Sequence, residues 1–290
     1  MFAPSFDYYR PKTLNQAIAL LRKNRNAKLL AGGHSLLPAL KLRLASPSAL
    51  IDIGRLTALS GIKASKSAIK IGALTTHAAI AASKDVKKLC PILAEAAAQI
   101  GDQQVRNRGT IGGSLAHADP AADFPTVIVA LGATLEATGP SGKRQIPAEK
   151  FFKDLFTTAL KPSEVLTAIT VPAMKSAMGG AYLKHRHPAS SYAVVGLAAL
   201  VGLKNGECSR VSLVAGGATS NPVRAKAAEA ALTGKKPTKD AIGAAAGNVA
   251  AAILDPLSDL YASGEYRVHL AQVLAARALT AAVERAKRQK

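Results

Sequence analysis

The chain has 290 residues, a length that suits about two domains. Hydrophobic residues make up 49% of the chain and charged residues 19%, a balance that excludes a wholly disordered protein. The 38 basic and 18 acidic residues give a formal net charge of +20, which suits a nucleic-acid ligand, acidic partner subunits or an ordinary solvated surface.

The cysteine count limits the cofactors that this chain can hold alone. Its two cysteines, Cys90 and Cys208, are too few for a disulfide scaffold, a four-cysteine zinc site or a cysteine-ligated iron–sulfur cluster. The longest apolar run, residues 192–203, is shorter than the about 20 residues of a membrane-spanning helix. Because residues 1–10 also lack the apolar core of a signal peptide, we expect a soluble, cytoplasmic protein without a membrane span.

The N-terminal part of the chain predicts a β-α-β-like unit. Thr13 and Gln16 have the spacing of a capping box, and the apolar residues after them predict a helix at residues 14–24. Strands are predicted on either side of a second helix, at residues 28–31 and 49–53.

The middle of the chain predicts a mixed lobe of strands and helices. Alternating apolar residues predict a hairpin of residues 61–64 and 68–71. Helices are predicted to begin at Thr76 and at Pro91, and a loop over residues 101–118 is predicted after the second of them. Three further strands are predicted, at residues 133–137, 143–146 and 165–171.

A second unit is predicted after a break near residues 174–180. Asn205-Gly206 is a hairpin turn signal between strands at residues 192–203 and 208–215. The basic tail, residues 285–290, is expected to be a solvated end. Alanine-rich helices are predicted at residues 222–232, 239–254 and 266–287.

Several common cofactor and metal motifs do not occur in the sequence. There is no Gly-x-Gly-x-x-Gly fingerprint, Walker A loop or His-Glu-x-x-His motif. His185 and His187 would share one face of a strand, but no third ligand is near them in sequence, so no metal site is expected.

A first glycine segment, Ala31-Gly32-Gly33-His34-Ser35, lies between a predicted strand and a predicted helix. Glycines allow a sharp turn, and free amides at a helix N-terminus favour an anion such as a phosphate. An ordinary strand-to-helix turn explains the same residues, whereas a hydrolase elbow is disfavoured because Leu37 takes the place of its closing glycine. Ser35 is expected to cap the helix. The leucines expected on its buried side are Leu36, Leu40 and Leu44.

A second glycine segment, Gly109-Thr110-Ile111-Gly112-Gly113-Ser114, follows Arg106 and Arg108 and is a second candidate cradle of backbone amides for a phosphate. Asp119 is expected to cap a helix that starts at the next residue, which would place Asp123 one turn into that helix. Asp123 is then either a solvated carboxylate or an acceptor for a hydroxyl or N–H group of a ligand.

Together the two glycine segments and Asp123 resemble the FAD-binding medium subunit of the molybdenum hydroxylases, the family of carbon monoxide dehydrogenase and xanthine dehydrogenase. Later stretches extend the resemblance over nearly the whole chain. They are residues 181–192, Ala215-Gly216-Gly217-Ala218, Pro222-Val223-Arg224-Ala225 and Ala262-Ser263-Gly264-Glu265-Tyr266-Arg267.

The resemblance implies an α+β chain. Its first part would be a two-lobed FAD-binding fold of the vanillyl-alcohol oxidase type, with FAD between the lobes, and a small α+β C-terminal domain would follow. The FAD-binding domain would span residues 1–175, in lobes of about 1–56 and 57–175, and the C-terminal domain residues 176–290.

Matching positions imply which residues bind FAD. Leu166 also fits the alternative of a leucine buried in a strand. Lys184 fits the alternative of a solvated strand lysine as well as it fits a contact with FAD. Tyr192 falls in a region where some relatives place an aromatic side chain near the flavin ring, but plain packing is the favoured interpretation of this residue. The residues implied at the diphosphate are Leu29, Leu30, Ala31, Gly32, Gly33, His34, Ser35 and Leu36, with Thr110, Ile111, Gly112, Gly113 and Ser114. The further FAD contacts implied are Asp123, Leu166 and Lys184.

The resemblance also implies partners. A molybdopterin-binding large subunit would carry out the hydroxylation, and a [2Fe–2S] small subunit would pass electrons to the FAD of this chain, in a dimer of heterotrimers. FAD would then pass the electrons to an external acceptor, so no catalytic acid or base is expected here. The acceptor, whether NAD, quinone or oxygen, and the substrate stay open.

Two other functions are consistent with parts of the sequence. A stand-alone FAD-dependent oxidoreductase of the same fold would use the same glycine segments. A basic nucleic-acid-binding protein would explain the charge of +20, but it leaves both glycine segments unexplained and has few aromatic residues for stacking bases.

Overall fold

In the computed structural model, which describes residues 2–289, the N-terminal residues form a small parallel sheet with strand order β1-β3-β2. Its elements are β1 (Asp7–Tyr9), α1 (Leu14–Lys23), β2 (Ala27–Leu30), α2 (Leu36–Lys41) and β3 (Ala49–Asp52). The predicted capping of α1 is confirmed, because the Thr13 hydroxyl accepts the amide of Gln16 at 3.2 Å. The Gln16 side chain accepts the amide of Lys12 at 2.8 Å.

The second helix differs from its prediction at both ends. Ser35 occupies the N-cap position of α2, but its side chain makes no capping hydrogen bond. Arg43 adopts a left-handed conformation (φ 60°), and the amide of Leu44 bonds back to the carbonyl of Ala39 at 2.9 Å. This closing turn ends the helix at Lys41, so the expected burial of Leu44 is wrong and its side chain is 78% exposed.

A five-stranded antiparallel sheet with strand order β4-β5-β10-β6-β7 forms the middle of the chain. Its elements begin with β4 (Ile62–Ala64), β5 (Ala68–Gly72), α3 (His77–Ala82), α4 (Lys84–Leu89), α5 (Pro91–Gln99), α6 (Gln103–Arg108), α7 (Ile111–His117) and α8 (Asp123–Leu131). They continue with β6 (Thr134–Gly139), β7 (Gly142–Pro147), α9 (Ala148–Phe151), the β8–β9 hairpin (Phe152–Asp154 and Thr157–Thr158) and β10 (Val165–Pro172). The predicted strands and hairpin of this region are confirmed.

The predicted loop over residues 101–118 is wrong. It contains the two short helices α6 and α7, each with a side-chain cap at its N-terminus. Asp102 accepts the amide of Val105 at 2.8 Å, and Thr110 accepts the amide of Gly113 at 3.1 Å. Such helices are too short for a clear apolar period, and their caps and tertiary contacts stabilise them.

The C-terminal unit is a sheet with strand order β11-β12-β13-β14. Its elements are β11 (Met178–Arg186), β12 (Ala193–Lys204), β13 (Glu207–Gly216), β14 (Val223–Arg224), α10 (Lys226–Leu232), α11 (Lys239–Gly247), a 3-10 turn (Asn248–Ala252) and α12 (Gly264–Arg288). The predicted turn at Asn205-Gly206 is confirmed, with φ of 54° and 83°. Tyr182, Leu200 and Val214 of this sheet share the core of the middle unit, which buries one sheet face.

The C-terminal tail is not a free solvated end. Helix α12 continues to Arg288, and Lys290 lies outside the described residues. Arg285 donates to the two carboxylate oxygens of Glu95 at 2.6 and 3.0 Å and to the carbonyl of Gly180 at 2.6 Å. The composition of the tail does not predict this anchor, because the acceptors of Arg285 lie on α5 and β11, far away in sequence.

No helix among residues 2–289 combines the length and the apolar character that crossing a bilayer requires.

Candidate cofactor-binding site

The two glycine segments, distant in sequence, are in contact in the fold. A Cβ atom at Gly32 would lie 2.1 Å from the carbonyl oxygen of Arg108 and 3.0 Å from the Cα of Gly109. A Cβ atom at Gly113 would lie 3.9 Å from that of Ala31. Only a glycine at position 32 permits this approach, so the segments adjoin and are the candidate walls of one cleft.

The first segment offers amide donors. Among residues 2–289, no backbone carbonyl accepts a hydrogen bond from the amides of residues 32–36. Gly33 has a φ of +80°, and its carbonyl accepts the amide of Leu37 at 3.0 Å, which turns the chain into α2. Successive amides without backbone acceptors in a glycine turn suit an anion with several oxygens. This donor set therefore fits the diphosphate of a dinucleotide.

The second segment differs from the predicted amide cradle. Residues 111–114 form the first turn of α7, and their amides already have acceptors. The amide of Ile111 bonds to Thr75 and that of Gly112 to Ala73, at 3.0 and 2.8 Å, while those of residues 113 and 114 bond to Thr110 at 3.1 and 3.0 Å. This wall can therefore contribute the Ser114 hydroxyl and close backbone approach rather than free amides.

Gly112 is a glycine for a packing reason. A Cβ atom there would lie 2.5 Å from the Cβ of Ala73 and 2.7 Å from its carbonyl oxygen. Because helix α7 packs directly on Ala73, a valine at position 112 would disturb the fold itself and is no clean probe of a ligand.

Asp123 belongs to a buried cluster rather than a solvated helix surface. It is the first residue of α8 and is 5% exposed, whereas the predicted helix start beside Asp119 is wrong. The Asp119 carboxylate accepts the amide of Ala121 at 2.9 Å in a turn that precedes the helix. The Asp123 carboxylate accepts a 2.6 Å hydrogen bond from the hydroxyl of Tyr182 and lies 2.8 and 3.0 Å from the Lys184 ammonium.

Lys184 is equally buried, so its interpretation as a solvated strand lysine is wrong. Its side chain is 1% exposed, and its ammonium also donates to the carbonyl of Ser191 at 2.8 Å. Burial raises the pKa of Asp123 and lowers that of Lys184, and each opposite charge counteracts the shift of the other. Tyr182, the third member of this cluster, was missed because a tyrosine in a strand is an ordinary core residue.

Leu166 and Tyr192 lie in different environments. Leu166 is buried in β10 next to an irregularity of the β10–β6 register. Tyr192 is 40% exposed just before β12, and burial, followed by the charge of Asp119, raises the pKa of its hydroxyl. A side-chain interaction with Ser35 opposes that shift in pKa. Tyr192, a residue of the C-terminal unit, therefore lies near Ser35 of the first glycine segment.

Sequence reasoning also missed His77, which begins α3. Its amide donates to the carbonyl of Gly109 at 3.0 Å, and its ring meets that of Phe124 edge-on at 5.1 Å. The imidazole is 5% exposed, and its Nδ1 has no hydrogen-bond partner among residues 2–289. Burial, with smaller contributions from the charges of His34 and Arg106, lowers the pKa of His77 to about 4, so the ring is neutral at pH 7.

His185 and His187 are packing residues. The ring of His187 lies 4.5 Å from that of Tyr261, and the ring of His185 lies 6.3 Å from it. Within residues 2–289, no group of three His, Cys, Asp or Glu side chains is arranged to hold a metal ion.

Comparisons with known proteins cover nearly the whole chain. Residues 4–174 match the family described as the FAD binding domain in molybdopterin dehydrogenase. Residues 180–282 match the CO dehydrogenase flavoprotein C-terminal domain.

Individual relatives agree with these matches. The carbon monoxide dehydrogenase medium chain of Hydrogenophaga pseudoflava is 40% identical over 283 residues, which cover 97% of this chain and 98% of that one. The glyceraldehyde dehydrogenase medium chain of Sulfolobus acidocaldarius is 40% identical over 278 residues, covering 96% and 98%. The solved carbon monoxide dehydrogenase of Hydrogenophaga pseudoflava that lacks the Mo-pyranopterin moiety superposes with a TM-score of 0.95 at 43% identity, covering 98% and 99%.

Proposed function

The chain belongs to the family of FAD-binding medium subunits of molybdenum hydroxylases, and we propose that its FAD takes electrons from [2Fe–2S] clusters of a partner subunit and passes them to an external acceptor. It is the FAD-binding subunit of an oxidoreductase of the carbon monoxide dehydrogenase and xanthine dehydrogenase type. The single observation that carries the site is the contact between the two glycine segments, one of which has five amides without backbone acceptors.

Within this proposal the two walls of the cleft have different roles. The amides of residues 32–36 bind the FAD diphosphate, and their turn is held open by Gly33. Residues 110–114 face them and contribute the Ser114 hydroxyl, since most of their amides are engaged elsewhere. Lys184 and Asp123 neutralise each other, and Lys184 also holds the carbonyl of Ser191, next to Tyr192. Leu166, buried in β10, is the further proposed contact of FAD.

The same proposal includes the fold type and the domain limits. A parallel sheet and an antiparallel sheet, joined at the Gly32–Arg108 contact, support a two-lobed FAD-binding fold of the vanillyl-alcohol oxidase type. The lobes of about residues 1–56 and 57–175 are supported by the gap between β3 and β4. The C-terminal domain of residues 176–290 is supported by the start of a separate sheet at β11.

The proposed partners are a molybdopterin-binding large subunit and a [2Fe–2S] small subunit, assembled as a dimer of heterotrimers. The names of the relatives, medium chains of dehydrogenases, support further subunits. The two cysteines of this chain are buried free thiols and cannot supply the four thiolates of a cluster, so the electrons must arrive from another chain. Free thiols also suit a reducing compartment, and we place the complex in the cytoplasm.

Purification of the tagged chain from its native cells tests this proposal against a stand-alone oxidoreductase. We expect two further chains to copurify, with molybdenum and iron measured by mass spectrometry and an absorption spectrum that contains flavin and cluster bands. Substrate should reduce the flavin only in the complex. A flavin-loaded chain that copurifies alone and turns over a substrate by itself would favour the stand-alone enzyme.

A further inference from the structure

Two stretches that support the family resemblance have no role in the site described so far. One is Ala215-Gly216-Gly217-Ala218 at the end of β13, and the other is Ala262-Ser263-Gly264-Glu265-Tyr266-Arg267, which starts α12. They meet at Arg267, which lies in the first turn of α12. This residue is only 5% exposed. A buried guanidinium needs acceptors for its N–H groups, and its acceptors here identify what it holds.

Arg267 binds two backbone carbonyls from two separate strands. One of its terminal nitrogens donates to the carbonyl of Val194 at 2.6 Å and to that of Gly217 at 2.8 Å. Its other terminal nitrogen donates to the carboxylate of Asp259 at 2.5 Å. The planar guanidinium therefore fixes the start of β12 and the end of β13 at one point.

The convergence of these carbonyls depends on a glycine. Gly217 has a φ of +77°, and a Cβ atom there would lie 2.6 Å from the carbonyl oxygen of Val194. A side chain at position 217 would push the two carbonyls apart. The glycine stretch and the arginine stretch thus form one structural unit.

The segments that Arg267 holds also hold the residues in front of α8. The amide of Gly217 donates to the carbonyl of Pro120 at 2.9 Å, and the amide of Ala193 donates to the carbonyl of Ala121 at 3.1 Å. Tyr192 immediately precedes Ala193. Arg267 and its two carbonyl acceptors, here called the Arg267 clamp, therefore link α12 to Tyr192 and to the turn that leads to Asp123.

We propose that Arg267 is a positioning residue of the FAD site, which acts through the carbonyls of Val194 and Gly217 to hold Tyr192 and residues 119–123 against the cleft. This inference rests on the proposed location of FAD between the two glycine segments. Arg267 itself touches neither glycine segment, so its effect on FAD is transmitted by the backbone of β12 and β13.

The test compares Arg267→Lys and Arg267→Met with Arg285→Met in the full-length chain. Arg285 is a matched control, because it too lies on α12 and donates to a carbonyl, that of Gly180, as well as to a carboxylate. Its acceptors belong to α5 and β11, away from the glycine segments. FAD dissociation constants come from fluorescence titration, flavin geometry from visible circular dichroism, and stability from thermal unfolding.

We expect Arg267→Met to weaken FAD binding about tenfold or more and to change the flavin circular dichroism, with Arg267→Lys intermediate. Arg285→Met should lower the unfolding midpoint and leave both FAD measurements unchanged. If Arg267→Met does not fold, Asp259→Asn removes the charge of one partner at a surface position and should give a smaller change in the same direction.

A further comparison shows whether the effect passes through Tyr192. In a Tyr192→Ala background, Arg267→Lys should change the flavin circular dichroism little further. If the two residues act independently, Arg267→Lys would cause the same change in this background as in the parent chain. Arg267 variants that lose stability but keep the parental FAD affinity and spectrum would overturn the inference. A Gly33→Ala variant that binds FAD with the parental affinity would instead overturn the proposed site.

Discussion

The hydroxyl of Tyr182 donates a 2.6 Å hydrogen bond to the carboxylate of Asp123, which is 59 residues away in the chain. Tyr182 lies on β11 and Asp123 begins α8, so the bond joins the C-terminal sheet to the helices of the middle unit. Lys184, two residues further along β11, pairs with the same carboxylate. The otherwise apolar junction between the two units therefore contains a buried polar cluster, whose charges are paired and hydrogen-bonded.

Removal of the Asp123 carboxylate should destabilise the chain. Asp123→Ala leaves the Lys184 ammonium buried without its counter-ion, and breaking such a pair costs about 3–5 kcal/mol. We expect the double variant Asp123→Ala/Lys184→Met to recover a large part of that loss, because no unpaired charge then remains. Urea unfolding of the two single variants and the double variant measures this coupling. Strictly additive losses would show that the two side chains do not act as a pair.

A change at Gly33 should weaken FAD binding as well as the fold. Gly33→Ala places a Cβ atom on a left-handed residue (φ +80°), about 1–2 kcal/mol less favourable there than for glycine, and forces the neighbouring amides to move. We expect FAD affinity to fall about tenfold or more in a fluorescence titration.

The matched control for Gly33 is Gly234→Ala. Gly234 has nearly the same φ, +78°, and a Cβ atom there would have no neighbour within 4 Å. It should cost only the stability that the left-handed conformation costs, because it lacks the 3.1–3.3 Å contacts that a Cβ at Gly33 would make with Leu30 and Leu37, and it should leave FAD affinity unchanged. Equal FAD affinity in both variants would contradict the diphosphate assignment of residues 32–36.

His77 should make the stability of the FAD-free chain depend on pH. Its pKa is about 4 in the fold and about 6.5 in an unfolded chain, so the unfolded state binds more protons between these values. The stability that the chain has with a neutral, buried His77 is fully present above pH 6.5. As the pH falls from 6.5 towards 4, the free energy of unfolding decreases by about 3 kcal/mol.

A variant without the imidazole isolates this contribution. As the pH falls from 7 to 4.5, the unfolding free energy of the parent should decrease more than that of His77→Gln. Chemical unfolding at several pH values measures it. A difference that does not change with pH would mean that the His77 ring can take up a proton in the fold.

The Arg285–Glu95 pair should anchor the end of α12. Its side chains are 41% and 27% exposed, so solvent screens the pair, and Arg285→Met should cost only about 1 kcal/mol. Raising the salt concentration should reduce the difference between the thermal unfolding midpoints of this variant and the parent. If the variant is as stable as the parent at low salt, the pair does not anchor α12, and residues 285–289 behave as a solvated end.

Local signals made much of the fold predictable from the sequence. Thr13 and the helix after it, the Asn205-Gly206 turn and the alternating residues of the β4–β5 hairpin all act over a few residues, and each was found. The two glycine segments were also recognisable as candidate walls of a site. Their resemblance to a known family indicates FAD without any tertiary contact.

Tertiary contacts decided the features that local signals do not encode. Strand β11 contains Gly179, which is unfavourable in a strand, and its place is set by the close packing of Ala282 on α12. Whether an aspartate, a lysine or an arginine is solvated depends on groups far away in sequence. The sequence alone therefore determined most of the strands, the longer helices and the Asn205-Gly206 turn, because those depend on neighbouring residues. The burial of Asp123 and Lys184, the amides left free in one wall and used in the other, and the clamp at Arg267 were decided only when distant strands and helices packed together.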